Sequence, residues 1–310
     1  MGALIKACNK SQSIKNTGIE CNESMGPTAM LFAVPPNIKW QDSDMADFSA
    51  FLLTKIHADK NNRIYPLFGP AAAIRKITNN KESDVIFTAD DGTQIFIRYG
   101  VLNRTFSTTE GGICFAQALQ SLTKAGYSII EVDNAGQLLF RKNTDGTYSG
   151  LKTTFMYAPS IDAADFKTPS FTNFALSIKP EEYIGSGVIF DGEDSGVTDL
   201  MGLLDVQLTD AGGHSTTKLK FGVQTECAFT DLVALLGSPL AAVGNFVVTK
   251  KSDGSVNTPA SAAIVSGHIE LTGTFTAATT YVVNLAPPAT LKTNGIVGYE
   301  GIKAVELAVP

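Results

Sequence analysis

Short runs of alternating apolar and polar residues, cut at close intervals by glycine turns, constrain this chain more than any other feature. Asp91-Gly92, Asp133-Asn134-Ala135-Gly136, Asn143-Thr144-Asp145-Gly146 and Ser252-Asp253-Gly254 each follow a strand-like run. Such turns supply the positive φ that tight hairpins need, and alternation at period two turns one face of each strand to a core. Hairpins are predicted over residues 84–99, with Val85 and Phe87 against Ile95 and Ile97, and over residues 127–141. Strands follow near residues 218–223, 246–250, 262–271, 280–285 and 304–309, a spacing that suits a sandwich.

Helical periods are few. Met45, Phe48, Phe51, Leu52 and Ile56 repeat at three and four, predicting a helix over residues 42–57 capped by Asp42 or Ser43. Gly111-Gly112 leads into a second helix over residues 113–124, closed by Gly126. A short helix over residues 231–236 is capped by Thr230. The expected fold class is mainly β with a few helices (α+β). A β-sandwich or barrel-type domain occupies residues 29–215 and a C-terminal immunoglobulin-like β-sandwich residues 216–310. Residues 1–28, polar and without period, form an extended N-terminal arm.

Composition narrows the function classes. Charged residues are 17% of the chain, against about 25% in an ordinary soluble domain. A chain this poor in charge is expected to cover much of its outside with copies of itself. The net charge of -6 argues against a basic surface that grips nucleic acid. It leaves room for an acidic passage along which a duplex slides.

Chemical motifs are absent. Cys8, Cys21, Cys114 and Cys227 match no zinc or redox spacing and are read as free thiols, a Cys8–Cys21 bridge being the alternative. His57, His214 and His268 stand far apart, so no metal is expected. The Gly111-Gly112 turn lacks the lysine and hydroxyl of a phosphate loop. Asp191, Glu193 and Asp194 lack the spacing of a calcium loop. Glu181 and Glu182 are adjacent and point apart, which does not suit paired acid and base work. No enzyme and no cofactor is expected, and no apolar run approaches the ~18 residues of a membrane helix.

Residues 62–68 (NRIYPLF), the hairpin over 84–99, residues 100–106 (GVLNRTF) and residues 126–136 (GYSIIEVDNAG) together resemble a family of tailed-bacteriophage virion structural proteins, the tail-tube-like proteins. The early Gly18-Ile19-Glu20-Cys21 and the strand end at Val34-Pro35 fit the same pattern, so the likeness covers about residues 16–150. It implies hexameric rings stacked into a tube, made in a host cytoplasm and resident in the virion. Its partners would be further copies of itself, other virion proteins and genomic DNA in non-specific transit. The candidate assembly interface is Ile19, Trp40, Tyr65, Phe68, Phe106 and Tyr127. The candidate acidic lumen or surface is Asp84, Asp90, Asp91, Glu110 and Asp133. A capsid or capsid-decorating protein, and a carbohydrate-binding surface module, are the alternative readings.

Overall fold

A computed structural model describes residues 25–70, 72–123, 126–158, 161–164, 169–190 and 196–310, with the side chain of residue 184 left aside. The chain divides into two compact units, residues 1–56 with 60–202, and residues 57–59 with 203–310. The fold is mainly β, with short helices.

In chain order the strands of the first unit are β1 (Thr28–Val34), β2 (Tyr65–Phe68), β3 (Lys76–Lys81), β4 (Val85–Thr88), β5 (Gln94–Arg98), β6 (Leu102–Thr108) and β7 (Ser128–Asp133). They continue with β8 (Leu138–Lys142), β9 (Tyr148–Ser149), β10 (Leu151–Tyr157), β11 (Ile161–Asp162), β12 (Phe171–Ile178) and β13 (Gly187–Phe190). Eleven of them form one antiparallel sheet. β1 lies between β2 and β7, which is why nearly every residue of it is apolar and buried. On its other side β7 meets β8 at one end and β10 at the other, so the sheet forks. One branch runs through β8 to β13, the other through β10, β12 and β6 to β3.

The core beneath the long branch gathers Leu31, Phe68, Phe106, Ile129, Phe174 and Leu176. Helix α3 (Gly112–Ser121) covers it with Leu119 and Phe115. The helix expected over 42–57 is two, α1 (Asp42–Met45) and α2 (Phe48–Ile56). Asp47 interrupts it, because its carboxylate accepts the Ala50 N–H at 3.1 Å and so starts a new first turn.

The second unit holds β14 (Leu204–Asp210), β15 (Lys218–Thr225), β16 (Phe246–Lys250), β17 (Val256–Asn257), β18 (Ser261–Val265), β19 (His268–Thr272), β20 (Thr279–Leu285), β21 (Tyr299–Lys303) and β22 (Val305–Val309). One sheet runs β18-β19-β15-β14-β21, the other β17-β16-β20-β22. This is the immunoglobulin arrangement of strands D-E-B-A against C-F-G. The last stretch of chain serves both sheets: β21 pairs in parallel with β14, and β22 pairs antiparallel with β20. Phe221, Phe246, Tyr281, Val283 and Leu307 fill the space between them.

The boundary is therefore near residue 203 and not 216. β14 belongs to the sandwich because both its partners, β15 and β21, do. Helix α4 (Leu232–Leu236) is capped by Asp231, whose carboxylate accepts the Val233 and Ala234 N–H groups, and not by Thr230. A fifth helix, α5 (Pro288–Thr293), has proline in its first turn, where a missing N–H costs no hydrogen bond. The expectation of free thiols fails at Cys114 and Cys227, which are both disulfide-bonded; there is no free cysteine among the described residues.

Candidate interaction surface

Strands β3 and β6 do not end at the edge of their sheet. Past the Lys81–Leu102 pair the Glu82 N–H donates to the Val101 carbonyl at 2.9 Å, and the two chains continue as β4 and β5. Among the described residues those two pair only with each other, Ile86 opposite Phe96 and Phe87 opposite Ile95. The tip closes through Gly92, at φ +82°, and through the Asp91 carboxylate, which accepts the Thr93 N–H at 2.8 Å.

This ribbon carries large apolar side chains on both faces. Ile86, Phe87, Ile95, Phe96 and Ile97 are 50–58% exposed and Tyr99 is 40% exposed. Three consecutive apolar residues on a strand must point alternately to both sides, so neither face of β5 is a core face. At about 200 Å² for a large side chain, six half-open ones leave on the order of 600 Å² of apolar surface. Shared between the two faces, that is about 300 Å² on each, within the roughly 300–600 Å² of the largest patch on a typical monomer. A two-stranded ribbon is also marginal in water by itself. Uncovered, the ribbon leaves these apolar side chains in water and has little stability of its own.

The base of the ribbon is pinned. Asp84 accepts the Gly100 N–H at 2.8 Å and pairs with Lys81 at 2.9 Å. Gly100 admits no side chain, since a Cβ there would lie 1.8 Å from the Glu82 carbonyl oxygen. The Gly100 N–H, and after it Lys81, hold the Asp84 carboxyl below the usual carboxylate range. A depressed folded pKa gives stability that is complete above the unfolded value, about 3.9, and is lost as pH falls through the folded one. The Gly100 amide signal is therefore expected to titrate below pH ~3.9, and that titration should vanish in Asp84→Asn. A Gly100 titration unchanged in the variant rejects the contact.

The remaining sequence candidates separate into surface and core. Asp90 and Asp91 are exposed at the ribbon tip. Glu110 is half-buried; it accepts the Ala73 N–H at 3.0 Å and pairs with Arg75, and both lower its pKa. Asp133 is a correction: it is buried and faces neither lumen nor solvent. One of its oxygens accepts the Ala135 and Gln137 N–H groups of the turn it begins, and the other the Gly26 N–H.

Trp40, Phe68 and Phe106 are corrections too, since none is accessible to a partner. Trp40 packs between Phe48, Phe51 and Phe140 at centroid distances of 5.6, 6.1 and 5.4 Å. Phe68 meets Phe106 at 6.1 Å. Tyr65 and Tyr127 form a half-buried edge-to-face pair at 5.9 Å. Ile19, like most of the predicted arm, lies outside the described residues, as do Asp191, Glu193 and Asp194.

Alternation in the sequence singles out Val85, Phe87, Ile95 and Ile97 in this hairpin and leaves Ile86 and Phe96 without a role. The signal was available in the uninterrupted triplets Val85-Ile86-Phe87 and Ile95-Phe96-Ile97.

Among the described residues no group of three His, Cys, Asp or Glu side chains is placed to hold a metal ion. No helix among them is long and apolar enough to cross a membrane. No protein-family model, no curated protein and no solved structure matches the chain.

Proposed function

We propose that this chain is a self-assembling structural subunit of a tailed-phage virion, of the tail-tube kind, acting without catalysis or cofactor. The observation that carries self-assembly is the β4–β5 ribbon, apolar on both faces and open to solvent. Buried on both faces against equal areas of neighbouring copies, its surface gives roughly 1,200 Å², the lower bound of a stable specific interface. Low overall charge supports the same reading, because charged residues are depleted at interface cores. The virion assignment rests on the resemblance over residues 16–150. Exposed Asp90 and Asp91 are compatible with a surface that does not hold passing DNA.

The test is sedimentation velocity over a concentration series, with negative-stain micrographs of the most concentrated sample. Rings or stacked tubes are expected. A protein that sediments as a monomer throughout and shows no polymer overturns the reading. Shells or particle-bound patches without tubes would move it to a capsid role.

A further inference from the structure

The long branch of the first sheet has a second face that the core does not use. Phe106, Phe174, Leu176 and Met156 point into the core. The residues between them point the other way and form rows in register. Asn173, Ser107 and Lys76 make one row across β12, β6 and β3; Ser177, Asn103 and Asn80 make another. Beside these rows on β10 stand Phe155 and Tyr157, ring centroids 4.5 Å apart, opposite Ser177 and Ala175. On this face Phe155 is 49% exposed and Tyr157 half-buried.

At one end of the face β11 sets Asp162 opposite Phe171. A cleft of about 240 Å³ opens there, lined by Lys76, Thr105, Ser107, Asp162, Phe171 and Asn173. Its floor is fixed before any ligand arrives. The Asn173 amide donates to Asp162 Oδ2 at 2.7 Å, and its oxygen accepts the Ser107 hydroxyl at 2.7 Å. Asn173 and Ser107 are themselves buried.

The chemistry of the lining selects the ligand class. The lining sets one carboxylate, Asp162, beside one ammonium, Lys76, so an anion drawn to the lysine also meets a carboxylate. An apolar partner would strip water from hydroxyl, amide and charged groups and return no hydrogen bonds. A ring of hydroxyls that both donate and accept satisfies carboxylate, ammonium and hydroxyl together, and its apolar side suits the Phe171 face. The volume is below the roughly 300–1,000 Å³ that encloses drug-sized ligands, which limits the cleft to one small ring.

We infer that this cleft binds one sugar ring of a neutral oligosaccharide, whose further rings lie along the open face toward Phe155 and Tyr157. The site is separate from the ribbon and does not depend on assembly.

The test is binding to an array of immobilised neutral tetrasaccharides built from glucose, galactose, mannose or N-acetylglucosamine, with sulfated counterparts alongside. At least one neutral tetrasaccharide is expected to retain the protein. Phe171→Ala and Asp162→Asn should each weaken that binding about tenfold, while a ribbon variant, Phe87→Ser with Phe96→Ser, should not. Folding of each variant is checked by its melting profile. An array silent for every neutral sugar, retention by sulfated sugars alone, or binding that survives both substitutions overturns the inference. An array silent while Phe171→Ala weakens self-association identifies the face as a contact between copies, which also overturns it.

Discussion

Phe87→Ser combined with Phe96→Ser, one substitution on each face of the β4–β5 ribbon, is expected to leave the protein folded and monomeric where the unaltered chain associates. Both side chains are about half exposed, 53% and 50%, so neither supports a core. Surface substitutions of this sort usually change stability by within about 0.5 kcal/mol. In an interface the same side chains are aromatic anchors, worth about 2 kcal/mol or more each. Together they are expected to weaken association on the order of a thousandfold. Sedimentation velocity reads the association, and a melting curve reads the fold. Association that persists unweakened in a folded double variant rules the ribbon out as the contact. A strong fall in melting temperature would mean that the ribbon is internal support and not a docking surface.

The uneven legibility of the sequence has physical causes. Turns were readable because their chemistry is local. Asp91-Gly92 and Asp133 to Gly136 close hairpins where expected, and strands form near 218–223, 246–250, 280–285 and 304–309, whereas the one expected over 262–271 is two, β18 and β19, paired as a hairpin. Pairings distant in sequence were not readable. β14 joins the sandwich partly through β21, about ninety residues later, and nothing near residue 204 announces that partner. Aromatic side chains misled because the same chemistry serves cores and interfaces. Trp40 lies near Phe48 and Phe51 in sequence, and those residues share its pocket. An acidic residue just before a turn glycine, such as Asp133, spends its oxygens on the turn's own N–H groups, and burial follows from that task. The candidate surface is half legible: the Asp91-Gly92 turn marks the hairpin, but period-two alternation implies one wet face, and only the unbroken triplets Val85-Ile86-Phe87 and Ile95-Phe96-Ile97 signal that both faces are apolar.

Glu131→Ala is expected to cost about 3–5 kcal/mol, the usual penalty for orphaning a buried charge. At roughly 2–4 °C per kcal/mol for a unit of this size, its melting temperature should fall by on the order of 10 °C. Glu131 on β7 pairs with Arg104 on β6, their side chains 4% and 10% exposed. It also accepts the Tyr183 hydroxyl at 2.6 Å and the Thr28 hydroxyl at 3.1 Å. Arg104 donates onward to Thr28 at 3.0 Å and to Asn79 on β3 at 3.0 Å. Burial, and after it the Glu131 charge, raise the Tyr183 hydroxyl above the ordinary tyrosine range, so it remains a donor at any working pH. Every polar group in the cluster has a partner, and removing the carboxylate leaves the guanidinium in a dry site with neutral acceptors only. Replacing the set together, Arg104→Met with Glu131→Leu and Tyr183→Phe, removes charge and partners at once and is expected to cost far less than Glu131→Ala. A triple variant as unstable as the single one would show that the ion pair adds net stability and does not simply compensate its own burial. The cluster ties β1 and β7 to the β6 and β3 strands from which the ribbon extends. Glu131→Ala should therefore lower both melting temperature and association, whereas the ribbon variant lowers association alone.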